Sequence, residues 1–116
     1  MSRPPELSVE ATRRPDRWLA TVSGELDIST ARAFEERIAP LVQRPVTVAL
    51  DLGRVPFIDS AGLAALMRLR RVADQHGAHL VVATASDFVR RIINITGLAG
   101  ALNLHPPPTA SPAETA

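Results

Sequence analysis

The chain has no cysteine, no lysine and no tyrosine among its 116 residues. Without cysteine there is no disulfide frame, no thiolate metal site and no thiol nucleophile. Without lysine, all 13 basic residues are arginine, which excludes a P-loop and a Schiff-base enzyme. Aromatic residues are scarce as well. Trp18, Phe34, Phe57 and Phe88 are the whole set, 3% of the chain, too few to build a stacking platform for nucleic acid. The formal net charge is only +1, so no strong overall field draws the chain to nucleic acid or anionic lipid. The apolar runs are too short to span a bilayer and no secretory leader pattern is present, so a cytoplasmic protein without membrane insertion is expected.

What remains is enough for one domain with a true core, since 46% of the residues are hydrophobic. Leu7, Val9 and Ala11 alternate with polar residues, which is strand period. Arg13-Arg14-Pro15-Asp16-Arg17 reads as a turn, and residues 18–23 read as the returning strand of a hairpin. Its two faces are Trp18, Ala20, Val22 and the smaller, more polar Leu19, Thr21, Ser23. Ala31, Phe34, Ile38 and Leu41 then follow helical spacing, with Asp27 or Ser29 as the cap. Pro40 predicts that this helix stops or kinks near Ile38-Ala39.

Residues 46–52 form an apolar run expected to be a strand buried on both faces. Residues 62–75 read as a helix with Leu63, Leu66, Met67, Leu69 and Val72 on its apolar side, ended by Gly77. A further buried strand is expected over 80–83. Ser86 or Asp87 then caps a third helix, whose core face is read as Phe88, Ile92, Val89 and Ile95, and Gly97 stops it. Residues 98–104 leave room for one more short strand. Residues 1–6 are expected to fray, and 105–116 form a proline-rich, low-complexity tail for which disorder is the default. Helices between the later strands imply parallel pairing. The expectation is an α/β fold over residues 1–104, with a mixed sheet (N-terminal hairpin plus parallel strands) and three or four helices mainly on one face.

Chemistry concentrates in Ile58-Asp59-Ser60-Ala61-Gly62-Leu63. Here a β-segment hands over to a helix, so Ser60 places a hydroxyl near unpaired backbone N–H groups and the positive end of a helix dipole. The surrounding residues do not form the Gly-x-Ser-x-Gly nucleophile elbow, and His76, His79 and His105 are badly placed to serve as a base. Ser60 is therefore read not as a catalytic nucleophile but as a plain helix N-cap serine or an acceptor of phosphate, a choice that the surrounding stretch shifts toward the acceptor. Other constellations have plainer readings. His76 and His79 flank Gly77 without sharing a helical face, so they are surface histidines more readily than a metal pair. Arg68, Arg70, Arg71, Arg90 and Arg91 are solvated helix faces before they are a nucleic-acid patch. Asp27, Asp51 and Asp59 each end a sheet segment and are caps and turn formers before they are a magnesium site. No cofactor is expected.

Residues 48–63, with their Asp59-Ser60-x-Gly62-Leu63 element, resemble the signature of the STAS domain, in particular that of bacterial anti-sigma factor antagonists. Gly24-Glu25-Leu26-Asp27 resembles the first-loop motif of that family. Residues 77–82 resemble its fourth strand and residues 89–98 its last helix and turn. The resemblance covers about residues 7–104. It implies a STAS-like fold and a partner switch. An anti-sigma factor that is also a serine protein kinase would phosphorylate Ser60. The unmodified antagonist would bind that kinase and free a sigma factor, the modified one would release it, and a serine phosphatase would restore the cycle. ATP would belong to the partner. Asp27, Asp59, Ser60, Ala61 and Gly62 are the expected contact residues, Gly62 because it lets a partner backbone approach, with Arg68 and Arg71 as further candidates on the same helix. The resemblance also admits a different role, as a STAS subunit that stabilises a transporter ATPase or a stressosome-like scaffold without phosphate chemistry.

Overall fold

The computed structural model describes residues 7–107. The expected frayed start and the tail beyond residue 107 lie outside the described residues. Four strands, β1 (Leu7–Arg13), β2 (Arg17–Gly24), β3 (Thr47–Arg54) and β4 (His79–Ala85), form one sheet in the order β1-β2-β3-β4. β1 and β2 are the antiparallel hairpin, while β2/β3 and β3/β4 are parallel. Helices α1 (Ala31–Ile38), α2 (Ser60–Gln75) and α3 (Asp87–Ile95) alternate with the later strands. The mixed sheet with three helices is the α/β arrangement expected from the element order.

The period-2 pattern of the strands decides which face is covered. Val9, Ala20, Val22, Val48, Leu50, Leu52, Leu80 and Val82 belong to one buried cluster with Phe34 and Ile38 of α1, Leu63, Leu66 and Leu69 of α2, and Val89 and Ile93 of α3. β3 was expected to be buried on both faces. Its Val48, Leu50 and Leu52 are fully buried under the helices, and on the other face Ala49 is buried beside Val81 while Thr47 and Asp51 to either side of it are half-exposed, so burial on the second face holds only at the middle of the strand. β3 also runs on to Arg54, two residues past its last apolar side chain.

Pro40 acts as its chemistry requires. α1 ends at Ile38, and the chain continues as a 3₁₀ turn over Ala39–Val42 with the proline in its first positions, where a missing N–H costs no helical bond. Gly77 takes φ +69° just beyond α2, the left-handed value that favours glycine at this place.

Three further expectations fail. Residues 98–104 are turns with a single parallel bridge, Leu104 to Val82, and not a fifth strand. Leu102 is nonetheless fully buried and its carbonyl accepts from the Val82 N–H at 3.1 Å, so the segment closes the sheet edge by packing. The core face of α3 is also rotated. Val89 and Ile93 are buried, Ile92 is half-buried, and Phe88 and Ile95 are exposed. Val89 and Ile93 stand four apart and so share one face, and the 88/95 stripe lies off it. His105, assigned to the tail by composition, donates its N–H to the Val82 carbonyl at 3.0 Å and accepts from Arg90 Nη1 at 2.7 Å.

Candidate functional site

Every parallel strand points its carboxyl end to the same pole, and every helix begins there. Two loops meet at that pole, residues 25–30 between β2 and α1 and residues 55–59 between β3 and α2. They are joined as a short parallel bridge, Leu26 to Ile58. Leu26 donates its N–H to the Phe57 carbonyl at 3.0 Å, and its own carbonyl accepts from the Asp59 N–H at 3.3 Å.

Asp59 is the N-cap of α2. One carboxylate oxygen accepts from the Gly62 N–H at 3.0 Å and the other from the Ile28 N–H at 3.2 Å. One side chain thus starts the helix and ties it to the opposite loop. Ser60 is therefore the first helical residue and not the cap. It is exposed, and no described residue hydrogen-bonds its hydroxyl. With the Gly62 N–H on the Asp59 side chain and the Leu63 N–H on the Asp59 carbonyl at 3.0 Å, the Ser60 and Ala61 N–H groups are the ones helix geometry leaves open.

Asp27 organises the facing loop. Its Oδ1 accepts from the Ser29 hydroxyl at 2.7 Å, the Ser29 N–H at 3.0 Å and the Thr30 N–H at 3.2 Å. The Ser29 hydroxyl, foremost, holds this carboxyl below its ordinary value, with the Ser29 and Thr30 groups adding to it and desolvation opposing. Thr30 is the residue before α1 and has no capping bond of its own; its hydroxyl donates to the Glu25 carbonyl at 2.7 Å. So Asp27, three positions ahead of Thr30, satisfies the first N–H groups of this turn. Asp51 accepts from the Gly53 N–H at 2.9 Å. Each of Asp27, Asp51 and Asp59 is a backbone acceptor, and among the described residues no group of three metal-ligating side chains converges.

Gly62 has an internal function. It is buried, and a Cβ placed on it would lie 2.3 Å from the Leu26 carbonyl oxygen and 2.8 Å from Ile58 Cγ1. The close approach that requires glycine comes from the β2–α1 loop of the same chain. Arg68 is likewise engaged, because its guanidinium binds the Glu35 carboxylate of α1, with Nε to Oε1 at 2.8 Å, and that carboxylate raises its pKa. Arg71 stays exposed. It lies about three helical turns from Ser60, and at 3.6 residues per turn the two share a stripe of α2.

The sequence reading missed the apolar rim. Ile28 is 82% exposed, and Phe57 and Phe88 are each 40% exposed. The two phenyl rings stack at 5.5 Å between centroids with 21° between planes. Ser86 fixes this pair. It caps α3 by accepting from the Val89 N–H at 3.3 Å and donates its hydroxyl to the Val55 carbonyl at 2.5 Å, which locks the β4–α3 corner onto the β3–α2 loop. A phenylalanine between Pro56 and Ile58 in a loop was the available signal.

Residues 11–106 match the family model described as Mlab, STAS domain. This chain belongs to the STAS domain family. Within it, the chain is similar to proteins named anti-sigma factor antagonists. The anti-sigma-B factor antagonist of Staphylococcus epidermidis is 30% identical over 93 residues, covering 79% of this chain and 86% of that protein. The crystal structure of an anti-sigma factor antagonist from Mycobacterium paratuberculosis aligns with a TM-score of 0.76 at 29% identity, over 99% of this chain and 97% of that one. The Bacillus cell fate determinant SpoIIAA in its phosphorylated form shares the fold, with a TM-score of 0.64 at 16% identity over 93% of this chain and 96% of that one. The first two are named as regulators and not as catalysts. No helix among the described residues is long and apolar enough to cross a membrane.

Proposed function

We propose that this chain is an anti-sigma factor antagonist controlled by phosphorylation of Ser60. The observation that carries the reading is the exposed Ser60 hydroxyl on the first residue of α2, beside open N–H groups and within an exposed apolar rim. The chain has no catalytic role in this account. Unmodified, it docks on an anti-sigma factor that is also a serine protein kinase, and a sigma factor is released. ATP is held by that partner, a serine phosphatase reverses the modification, and neither nucleic acid nor membrane is contacted. The working location is the cytoplasm.

Phosphorylation adds about −1.5 to −2 charges. At a helix N-terminus that charge is favourable within the domain, so the fold should persist. The effect falls on docking. A partner that covers Ile28, Phe57 and Phe88 also covers Ser60, and an uncompensated ion taken from water there costs several kcal/mol. A kinase that transfers phosphate to Ser60 must also hold its nucleotide phosphates nearby, which then repel the new dianion. A few kcal/mol is about a hundredfold in affinity or more. Asp59 adds negative charge beside the hydroxyl, Ala61 and Arg71 offer accessible contact on α2, and Arg68 reaches the partner from its Glu35 pair.

The test is to incubate the chain with its candidate kinase and ATP and to map the product by mass spectrometry. Phosphate on Ser60, about hundredfold weaker binding of Ser60→Asp and undiminished binding of Ser60→Ala are expected. Phosphate absent from Ser60, or tight binding by Ser60→Asp, overturns the reading. A stable complex with a transport ATPase that ignores Ser60 modification would support the structural-subunit role instead.

A further inference from the structure

The opposite pole, where the parallel strands begin, carries a cleft that the Ser60 mechanism does not use. It lies between the β1–β2 turn, the 3₁₀ turn with its following loop, and the start of β4, and its volume is about 780 Å³. That is within the range of about 300–1,000 Å³ typical of small-molecule sites. One wall is the half-buried indole of Trp18, the single tryptophan of the chain. The guanidinium of Arg13 lies 5.6 Å from the indole centroid, a contact that holds planar donors at the wall without an acidic partner. Arg44 and the His79 ring line the same cleft, and Asp16 is its one acid. Among the described residues the ion pairs are Arg32–Glu36, Arg68–Glu35 and Arg70–Asp74, none of them here. Pro15, Pro40 and Pro45 supply apolar wall, and their fixed φ limits how far the cleft can collapse.

We propose that this cleft binds a small organic anion. A planar or apolar body lies against Trp18 and the proline rings, and a carboxylate or phosphate head sits between Arg13 and Arg44. Arginine suits such heads because its planar fork donates to two oxygens at once. Asp16 opposes an anionic head, but it is one acid against the two arginines that favour it. The site is independent of the Ser60 reading, since eight-residue β3 separates the poles by about 25 Å at roughly 3.3 Å per residue.

Anilinonaphthalene sulfonate is a suitable probe, titrated into the full-length, nitrogen-15-labelled chain. The Trp18 indole N–H gives an isolated signal in the proton–nitrogen spectrum. Saturable shifts are expected at that signal and at the Thr47, Gly77 and His79 amides. The double variant Arg13→Glu/Arg44→Glu should bind about tenfold more weakly or worse, and the uncharged phenylnaphthylamine should lose a similar factor. Both arginines are exposed, and the dispersed amide spectrum checks that the variant folds. Should it not fold, Arg44→Gln carries the test, with an expected loss of about threefold. Displacement of the probe by naphthoate or by naphthyl phosphate assigns the head group. Displacement by neither, shifts confined to the Phe57–Phe88 pole, or affinity untouched by charge reversal overturns the proposal.

Discussion

Along the parallel strands β2, β3 and β4 the surface changes sign. Glu25, Asp27, Asp51, Asp59 and Asp87 stand at or near the carboxyl ends beside Arg54 and, at the start of α3, Arg90, whereas Arg13, Arg14, Arg17 and Arg44 stand at the amino ends beside Asp16 and, in the last turn of α2, Asp74. A net charge of +1 conceals this separation. The topology accounts for the acidic end, where Asp27, Asp59 and Asp87 stand at helix starts. With strands running one way and helices the other, all three helix N-termini gather at one pole, where carboxylates are favourable, and all three C-termini face the other, where cations are. The poles also differ in how they are held. At the Ser60 pole Asp27, Asp51 and Asp59 are locked into backbone hydrogen bonds, while at the Trp18 pole the cleft arginines Arg13 and Arg44 have no ion pair among the described residues. One end is a built platform with a free hydroxyl, and the other is a set of uncommitted donors around a cleft.

Substitutions at the locked pole should therefore cost stability, and those at the other should not. The largest effect is expected for Gly62→Ala, whose Cβ meets the Leu26 carbonyl oxygen at 2.3 Å. Overpacking against backbone should cost about 3 kcal/mol, seen as a fall in Tm of about 10 °C or more. An unchanged Tm would show that the two loops are not clamped as described. Asp59→Ala removes a cap and the tie to Ile28, for about 1–2 kcal/mol. Hydrogen exchange should quicken at the Ile28 and Gly62 amides and stay constant around Trp18; equal quickening at both poles would erase the contrast.

Acid should loosen the 25–30 loop last among ordinary carboxylate effects. The Asp27 pKa is lowered in the folded state, chiefly by Ser29. Its contribution is thus fully present above the unfolded value and is lost as pH falls through the lower folded value. The Ser29 and Thr30 amide signals should titrate with a midpoint below that of an unperturbed aspartate, and a midpoint above it would contradict the hydrogen-bond pattern. Arg68→Ala, which removes a half-exposed pair, should cost no more than about 0.5 kcal/mol in urea denaturation. Arg44→Ala at the basic pole should change stability by less than about 0.5 kcal/mol, and a larger loss would mean that its guanidinium is structurally committed.

Much of the platform was legible in one dimension because its signals are local. Asp59, Ser86 and Gly77 are read from helix-end chemistry within a few residues, and Pro40 marks its own break. The α3 face was misread because Phe88 and Ile95 compete with Val89 and Ile93 at nearly the same period, and hydrophobicity does not say which stripe meets the sheet. Residues 98–104 are apolar enough for a strand, but the chain turns at Asn103, whose φ of +48° is not extended, and it meets the β4 edge at one bridge only.

The sequence by itself determined the order of strands and helices, the place of Ser60 at a helix start and the exclusion of lysine and cysteine chemistry, since these depend on neighbours in the chain and on which residue types exist. Tertiary structure decided what touches what. The Leu26 carbonyl over Gly62, the Phe57–Phe88 stack, the Arg68–Glu35 pair and the arginine-lined cleft all join segments some thirty residues apart or more. Such contacts arise from the packing of whole elements around one core, and no local periodicity encodes them.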